Sequence, residues 1–405
     1  MYSRSIYVGA AAASLVSGVN AGMRYMFYFD KNHLTALPDH KATHLSTHAI
    51  LGHEDPSLYS REIFKPQQPF ISHGKVRDLF EEPVKVCLSI GGRDSAQIFW
   101  ESSSSEHNRT IFAQNVQTAV DTYGYDCVEI SWSHPGGNGD DFNLLPIAGK
   151  ESARDNLPNF LKEIKKATKK ELSIVVPGKE GDMAAFDHKT MSKIAKIVDH
   201  VTVKSFDLAD LRDTATNHSA GFKAVGESLG RYLDLGVPSV KLNMAFSYYA
   251  TWRRVDPGPL CLTPTICPIT QKGNYADNMG FVTFEKQNFE PNPTDIDPVI
   301  ARSFQRAMKE GHIDLDLGGW WWWDQENSLF WSWDTADIIY NKCLEYVPKL
   351  GLGGLASYTA PMDSKDWRRM IKTASGVAWI PGEFFDDLEQ QLAEAEKSER
   401  ARDEL

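Results

Sequence analysis

Eight short apolar runs, rich in β-branched and aromatic residues, punctuate the chain at 24–30, 42–51, 84–90, 127–132, 171–178, 200–207, 239–246 and 353–358. Each has the length and composition of a buried strand. Most are separated by stretches whose apolar positions fall three and four apart, such as NLPNFLKEIKKATKK (156–170) and GESLGRYLDL (226–235), the spacing of helices that lay one face on a sheet. Strand and helix alternating in this way predict an α/β fold, a (β/α)8 TIM barrel rather than an open sheet. The long stretch between the seventh and eighth runs carries a Pro-rich loop and Trp-rich strands, which predicts an inserted α+β subdomain. The expected layout is a barrel over 22–252 and 335–385, the insertion over 253–334, and a helical tail over 386–405.

Within the insertion, WWWWDQENSLFWSWD (320–334) reads as a hairpin. Alternation sets Trp320 and Trp322 on one face and Trp321 and Trp323 on the other, with a turn near Gln325–Asn327 and a return through Trp331 and Trp333. Most of these rings are expected in the subdomain core, with one or two lining a cleft. The chain as a whole holds 11 Trp, 14 Tyr and 20 Phe, a store of faces that suits sugar rings as well as cores. Its net charge of −11 argues against a phosphate-tracking protein, so nucleic acid is set aside as a partner.

Both ends read as addresses. Residues 1–21 have a basic Arg4, a run of small apolar residues and a Val19-Asn20-Ala21 ending, the pattern of a cleaved signal peptide and too short for a membrane span. The final Arg402-Asp403-Glu404-Leu405 resembles the signal read by the ER retrieval receptor, which favours residence in the ER lumen over free secretion. Two sequons, at Asn108 and Asn217, suit that route. In an oxidising compartment Cys261 and Cys267, in the turn-rich loop CLTPTIC, are expected to form a disulfide worth about 2 kcal/mol. Cys87, Cys127 and Cys343 are expected as small buried thiols.

The fourth run carries the chemistry, or its remains, in YGYDCVEISWSHPGG (123–137). Alternation puts Glu129, Ser131 and Ser133 on one face, inside the barrel and rising to the C-terminal mouth where barrel enzymes work. Here the chain resembles glycoside hydrolase family 18, the chitinases, and its fungal members in particular, whose fourth strand reads D-G-x-D-x-D-x-E. Supporting matches are KVCLSIGG (85–92) to the S-x-G-G third strand, VKSFDL (203–208) to the M-x-Y-D sixth, KLNMAFSYYATW (241–252) to the seventh, and GLGGLASY (351–358) to the eighth.

The resemblance implies a mechanism that this chain departs from at each reacting position. The family's general acid is a Glu ending the fourth strand, and the substrate's acetamido oxygen attacks, steered by an Asp and a sixth-strand Tyr. The acid position is Ser133, the steering Asp is Ser131, the inner Asp is Glu129, the Tyr is Phe206, and the eighth-strand Trp is Tyr358. Loss of the acid alone removes about a hundred- to ten-thousand-fold in rate, so hydrolysis by the family's mechanism is not expected. Asp207, Tyr249, Tyr358 and Trp132 remain as candidate ligand contacts.

Lys204 replaces the family's Met on the face shared with Phe206, and is expected inside the barrel, paired with Glu129 or else Asp207. Two readings stay open: a structural ion pair, or a reactive lysine that works with Glu129 and His134 on a different substrate. The histidines at 40, 44, 48 and 53 lie in a strand-like run, so no metal site is drawn from them, and no cofactor is expected. Two functions therefore compete. One is a chitinase-like protein that binds an N-acetylglucosamine-containing glycan, or a small molecule, without cutting it. The other is a lumenal enzyme, of cyclase, isomerase or lyase type, recruited to a different small molecule.

Overall fold

A computed structural model describes residues 23–378, apart from 35, 82, 93–94, 133, 136–151, 211, 257–260, 262, 266, 271–274 and 287–295. The leader, the tail with its RDEL end, Ser133 and the GGNGDD run lie outside the described residues. The strands, in chain order, are β1 (Arg24–Phe29), β2 (His48–Glu54), β3 (Lys85–Gly91), β4 (Cys127–Ser131), β5 (Glu171–Pro177), β6 (His200–Lys204), β7 (Leu242–Ser247), β8 (Tyr249–Arg254), β9 (Met279–Thr283), β10 (His312–Asp314), β11 (Gly319–Asp324), β12 (Leu329–Trp333) and β13 (Gly354–Tyr358).

Strands β1 to β7 and β13 close a parallel barrel in the order β1-β13-β7-β6-β5-β4-β3-β2. Its strands are buried on both faces, which is why they read as continuous apolar runs rather than alternating ones. Helices such as Glu106–Tyr123 and Ser152–Thr168 cover the outside. The other five strands form an antiparallel sheet, β10-β11-β12-β8-β9, entered directly from β7 through β8. Among the described residues no helix is long and apolar enough to cross a membrane.

The Trp hairpin forms with Trp320 opposite Trp333 and Trp322 opposite Trp331. That face packs on the helix Pro298–Glu310, where the Trp331 indole N–H donates to Ser303 at 2.9 Å. The opposite face, with Trp321, Trp323 and Phe330, packs on the Cys261–Cys267 disulfide.

Three local expectations need correction. The second run becomes strand only from His48, because the Asp39 carboxylate and carbonyl take the Ala42 N–H into a turn, and Thr43 Oγ1 donates to the Leu79 carbonyl at 2.6 Å. The sixth strand ends at Lys204 rather than 207, since Asp207 turns the chain with φ of 53°. Cys87 and Cys127 are a disulfide, not thiols: the parallel register of β3 on β4 makes them direct neighbours, with Cα atoms 4.4 Å apart. Cys343 remains a buried thiol.

Candidate functional site

The C-terminal ends of the barrel strands hold two linked groups of side chains. The inner group centres on Glu129, fully buried on β4. Its carboxyl accepts from Tyr28 Oη at 2.7 Å, Ser89 Oγ at 2.8 Å and Ser173 Oγ at 3.4 Å, donors from β1, β3 and β5. Burial pushes its pKa up to about 7, and the three hydroxyls, which favour the anion, hold it from rising further. One more residue joins this chain: His53 Nδ1 lies 2.8 Å from Ser89 Oγ. Burial, and next the positive charge of Lys204, push the His53 pKa down to about 4, so the ring is neutral at neutral pH. His53, Ser89 and Glu129 thus form a hydrogen-bonded relay in which the serine hydroxyl can pass a proton between an imidazole and a carboxyl.

The outer group stands where β6, β8 and β13 reach the mouth. Asp207, brought back toward the strand end by its left-handed backbone, lies 3.1 Å from Lys204 Nζ and accepts from Tyr249 Oη at 2.8 Å. Phe206 stacks on Tyr358 with centroids 5.7 Å apart and meets Tyr249 edge-on at 6.2 Å. Tyr358 also stacks on His53 at 6.0 Å, and Tyr249 packs on Phe281 of β9 at 4.7 Å. These contacts make one continuous aromatic wall from His53, inside the barrel, to Phe281, which is 49 % exposed at the rim.

Several expected roles change. Lys204 does not pair with Glu129: its ammonium goes to Asp207 and lies 5.3 Å from the Phe206 centroid, with 38 % of the side chain exposed. The strand ends at this residue, so the long stem carries the charge out to the mouth, where solvation is cheaper than in the barrel. His134 Nδ1 lies 3.8 Å from Asp182 Oδ1, an acid that Arg212 also grips, Nη2 to Oδ2 at 2.8 Å. Trp132, expected as a ligand contact, is held by core packing instead of facing the mouth. It sits on the outer face of β4, buried and stacked on Phe99 at 5.3 Å and against Phe160 at 6.4 Å, as the packing between strand and helices requires.

Ser131 ends β4 in a buried position, and its carbonyl accepts from the Gly92 N–H at 3.1 Å. Gly91 must be glycine here, since its φ is +130° and a Cβ would fall 2.1 Å from the Ser131 oxygen. Of the two sequons, Asn217 is exposed in the loop after β6, whereas the Asn108 amide donates to the Glu101 carbonyl at 2.9 Å. The sequence reading missed Tyr28, Ser89 and Phe281, and weighed His53 only as a metal ligand. Strand alternation from Glu129 would have found Ser89 through the parallel neighbour β3; no local signal marks Phe281.

A closed parallel barrel with a sheet inserted after its seventh strand is a TIM-barrel protein. Residues 24–363 match the glycosyl hydrolases family 18, and the chain belongs to that family. It is 20% identical over 330 residues to Endochitinase 1 of Metarhizium anisopliae, covering 76% of this chain and 71% of that protein. It is 25% identical over 191 residues to a chitinase-like effector of Moniliophthora roreri, covering 43% and 45%. Among solved structures, the chitinase-like agglutinin from Robinia pseudoacacia superposes with a TM-score of 0.62 at 18% identity, covering 88% of this chain and 99% of that one. That likeness is one of fold.

Proposed function

We propose that this protein is a non-hydrolytic member of its family that holds an N-acetylglucosamine-containing glycan at the barrel mouth. The observation that carries the reading is the unbroken aromatic wall Tyr358–Phe206–Tyr249–Phe281, with Asp207 at its foot, beside a fourth strand that has serine at both acid positions. Aromatic faces and a hydrogen-bonding carboxylate bind a sugar ring; a serine cannot protonate its leaving group. The agglutinin and the effector, each chitinase-like by name, lend the reading support.

A second reading, a recruited enzyme acting on a different small molecule, is favoured by the His53–Ser89–Glu129 relay, with a carboxyl near neutral pKa. Under either reading the leader, the RDEL end and the sequons support a glycosylated resident of the ER lumen that meets the retrieval receptor. Calorimetric titration of residues 22–405 with chitin oligosaccharides, followed by chromatography of the same samples, tests the proposal. Binding without cleavage is expected. Absence of binding would refute the lectin reading and pass the weight to the recruited enzyme, with Lys204→Met as its control.

A further inference from the structure

The opposite, N-terminal end of the barrel holds a group of side chains that the mouth does not use. His48 opens β2, Glu171 opens β5 and His200 opens β6, and barrel closure turns all three inward. His48 Nε2 and His200 Nε2 both approach the same carboxylate oxygen, Glu171 Oε1, at 2.8 and 3.1 Å. The three atoms lie within 4.8 Å of one another. Both rings are buried. The other ring nitrogens are oriented from outside: His48 Nδ1 by Thr47 Oγ1 at 2.6 Å and His200 Nδ1 by Asn243 Nδ2 at 3.0 Å. Two imidazoles and one carboxylate, each with an outer partner, are the donor set of a zinc-type ion.

We propose that His48, Glu171 and His200 form a divalent transition-metal site, best suited to zinc, at the base of the barrel. Ligand atoms at about 2.0–2.1 Å from a tetrahedral zinc sit about 3.3 Å apart, so the two nitrogen–oxygen distances of 2.8 and 3.1 Å need a small spreading, and the two nitrogens, within 4.8 Å of each other, must settle to the same spacing. A water completes the coordination from the side where Lys85 stands. Lys85 Nζ holds the second oxygen, Glu171 Oε2, at 2.5 Å, and its half-exposed side chain is the part of the site in contact with solvent. It competes with the metal for the carboxylate. On binding, each ring presents a bare Nε2 and carries its proton on Nδ1. The Thr47 hydroxyl can accept that proton's hydrogen bond, and Asn243 must turn its amide oxygen toward His200. Arg24 Nε, now donating to Asn243 Oδ1 at 3.0 Å, opposes this turn.

The test is titration of the chelator-stripped, untagged full chain with zinc chloride by calorimetry, with cobalt(II) absorption as an independent view of the ligand set. One equivalent of zinc, tetrahedral cobalt bands and a raised melting temperature are expected. Glu171→Gln and His200→Ala should each weaken binding at least about tenfold, while Lys85→Met, at a half-exposed position that leaves the fold intact, should tighten it about tenfold. No bound zinc in the wild type would overturn the proposal. So would affinities unchanged in Lys85→Met and Glu171→Gln, which would place the ion at other histidines.

Discussion

The substitution Glu129→Gln tests whether the inner carboxyl is held in the state the structure assigns. Burial raises its pKa from 4.5 to about 7, a change that corresponds to about 3 kcal/mol. The sign follows from proton counting. Between pH 4.5 and 7 the folded chain holds a proton at Glu129 that the unfolded chain has released, so stability falls as pH rises through this window. Below it both states are protonated and the contribution is fully present; above it about 3 kcal/mol has been lost. Glutamine keeps the size and one acceptor oxygen, which can take the Tyr28 and Ser173 hydroxyls while its NH2 donates to Ser89 Oγ, and it does not titrate. Urea unfolding of oxidised wild type and variant, at intervals from pH 4 to 8.5, gives the difference in stability free of every other titrating group. That difference should shift in favour of the glutamine chain by about 3 kcal/mol across the window. Parallel curves would refute the reasoning, because the carboxyl would then titrate in the fold as it does in water.

Phe281→Ala removes the exposed end of the aromatic wall and should weaken chitin-oligosaccharide binding by about 1 kcal/mol with little change in melting temperature. Calorimetry on that variant reads both. Trp132→Ala should do the reverse, costing about 3–5 kcal/mol of stability in urea while the folded fraction binds glycan normally, since the ring packs between β4 and the helices. Replacing Cys87 and Cys127 together by alanine opens a closed loop of 40 residues and should lower stability by about 3–4 kcal/mol. Loss of glycan binding in a still-folded pair variant would contradict a purely scaffolding role for that bond.

The barrel was legible because parallel strands buried on both faces leave uninterrupted apolar runs, and the covering helices leave their own period. The inward face of β4 was legible from alternation alone, which placed Glu129 correctly. Contacts between distant strands were not. Cys87 and Cys127 are neighbours only through the register of β3 on β4, and His48, Glu171 and His200 come together across 123 and 29 residues of chain. Lys204 was misplaced for a different reason. Parity gives the face a side chain leaves from, not how far a four-carbon stem travels along it, and at a strand end the stem runs to water.

The two positions on β4's inner face differ in what the fold asks of them. At Glu129 the longer side chain still satisfies three strands at once, so β1, β3 and β5 remain tied through one carboxyl. Two residues on, Ser131 is small, buried and pressed against Gly91, where the chain makes few demands beyond volume and a backbone acceptor. The fold therefore constrains position 129 more tightly than position 131. Serine at 131 costs little stability, whereas alanine at 129 would leave Tyr28, Ser89 and Ser173 without their shared buried acceptor.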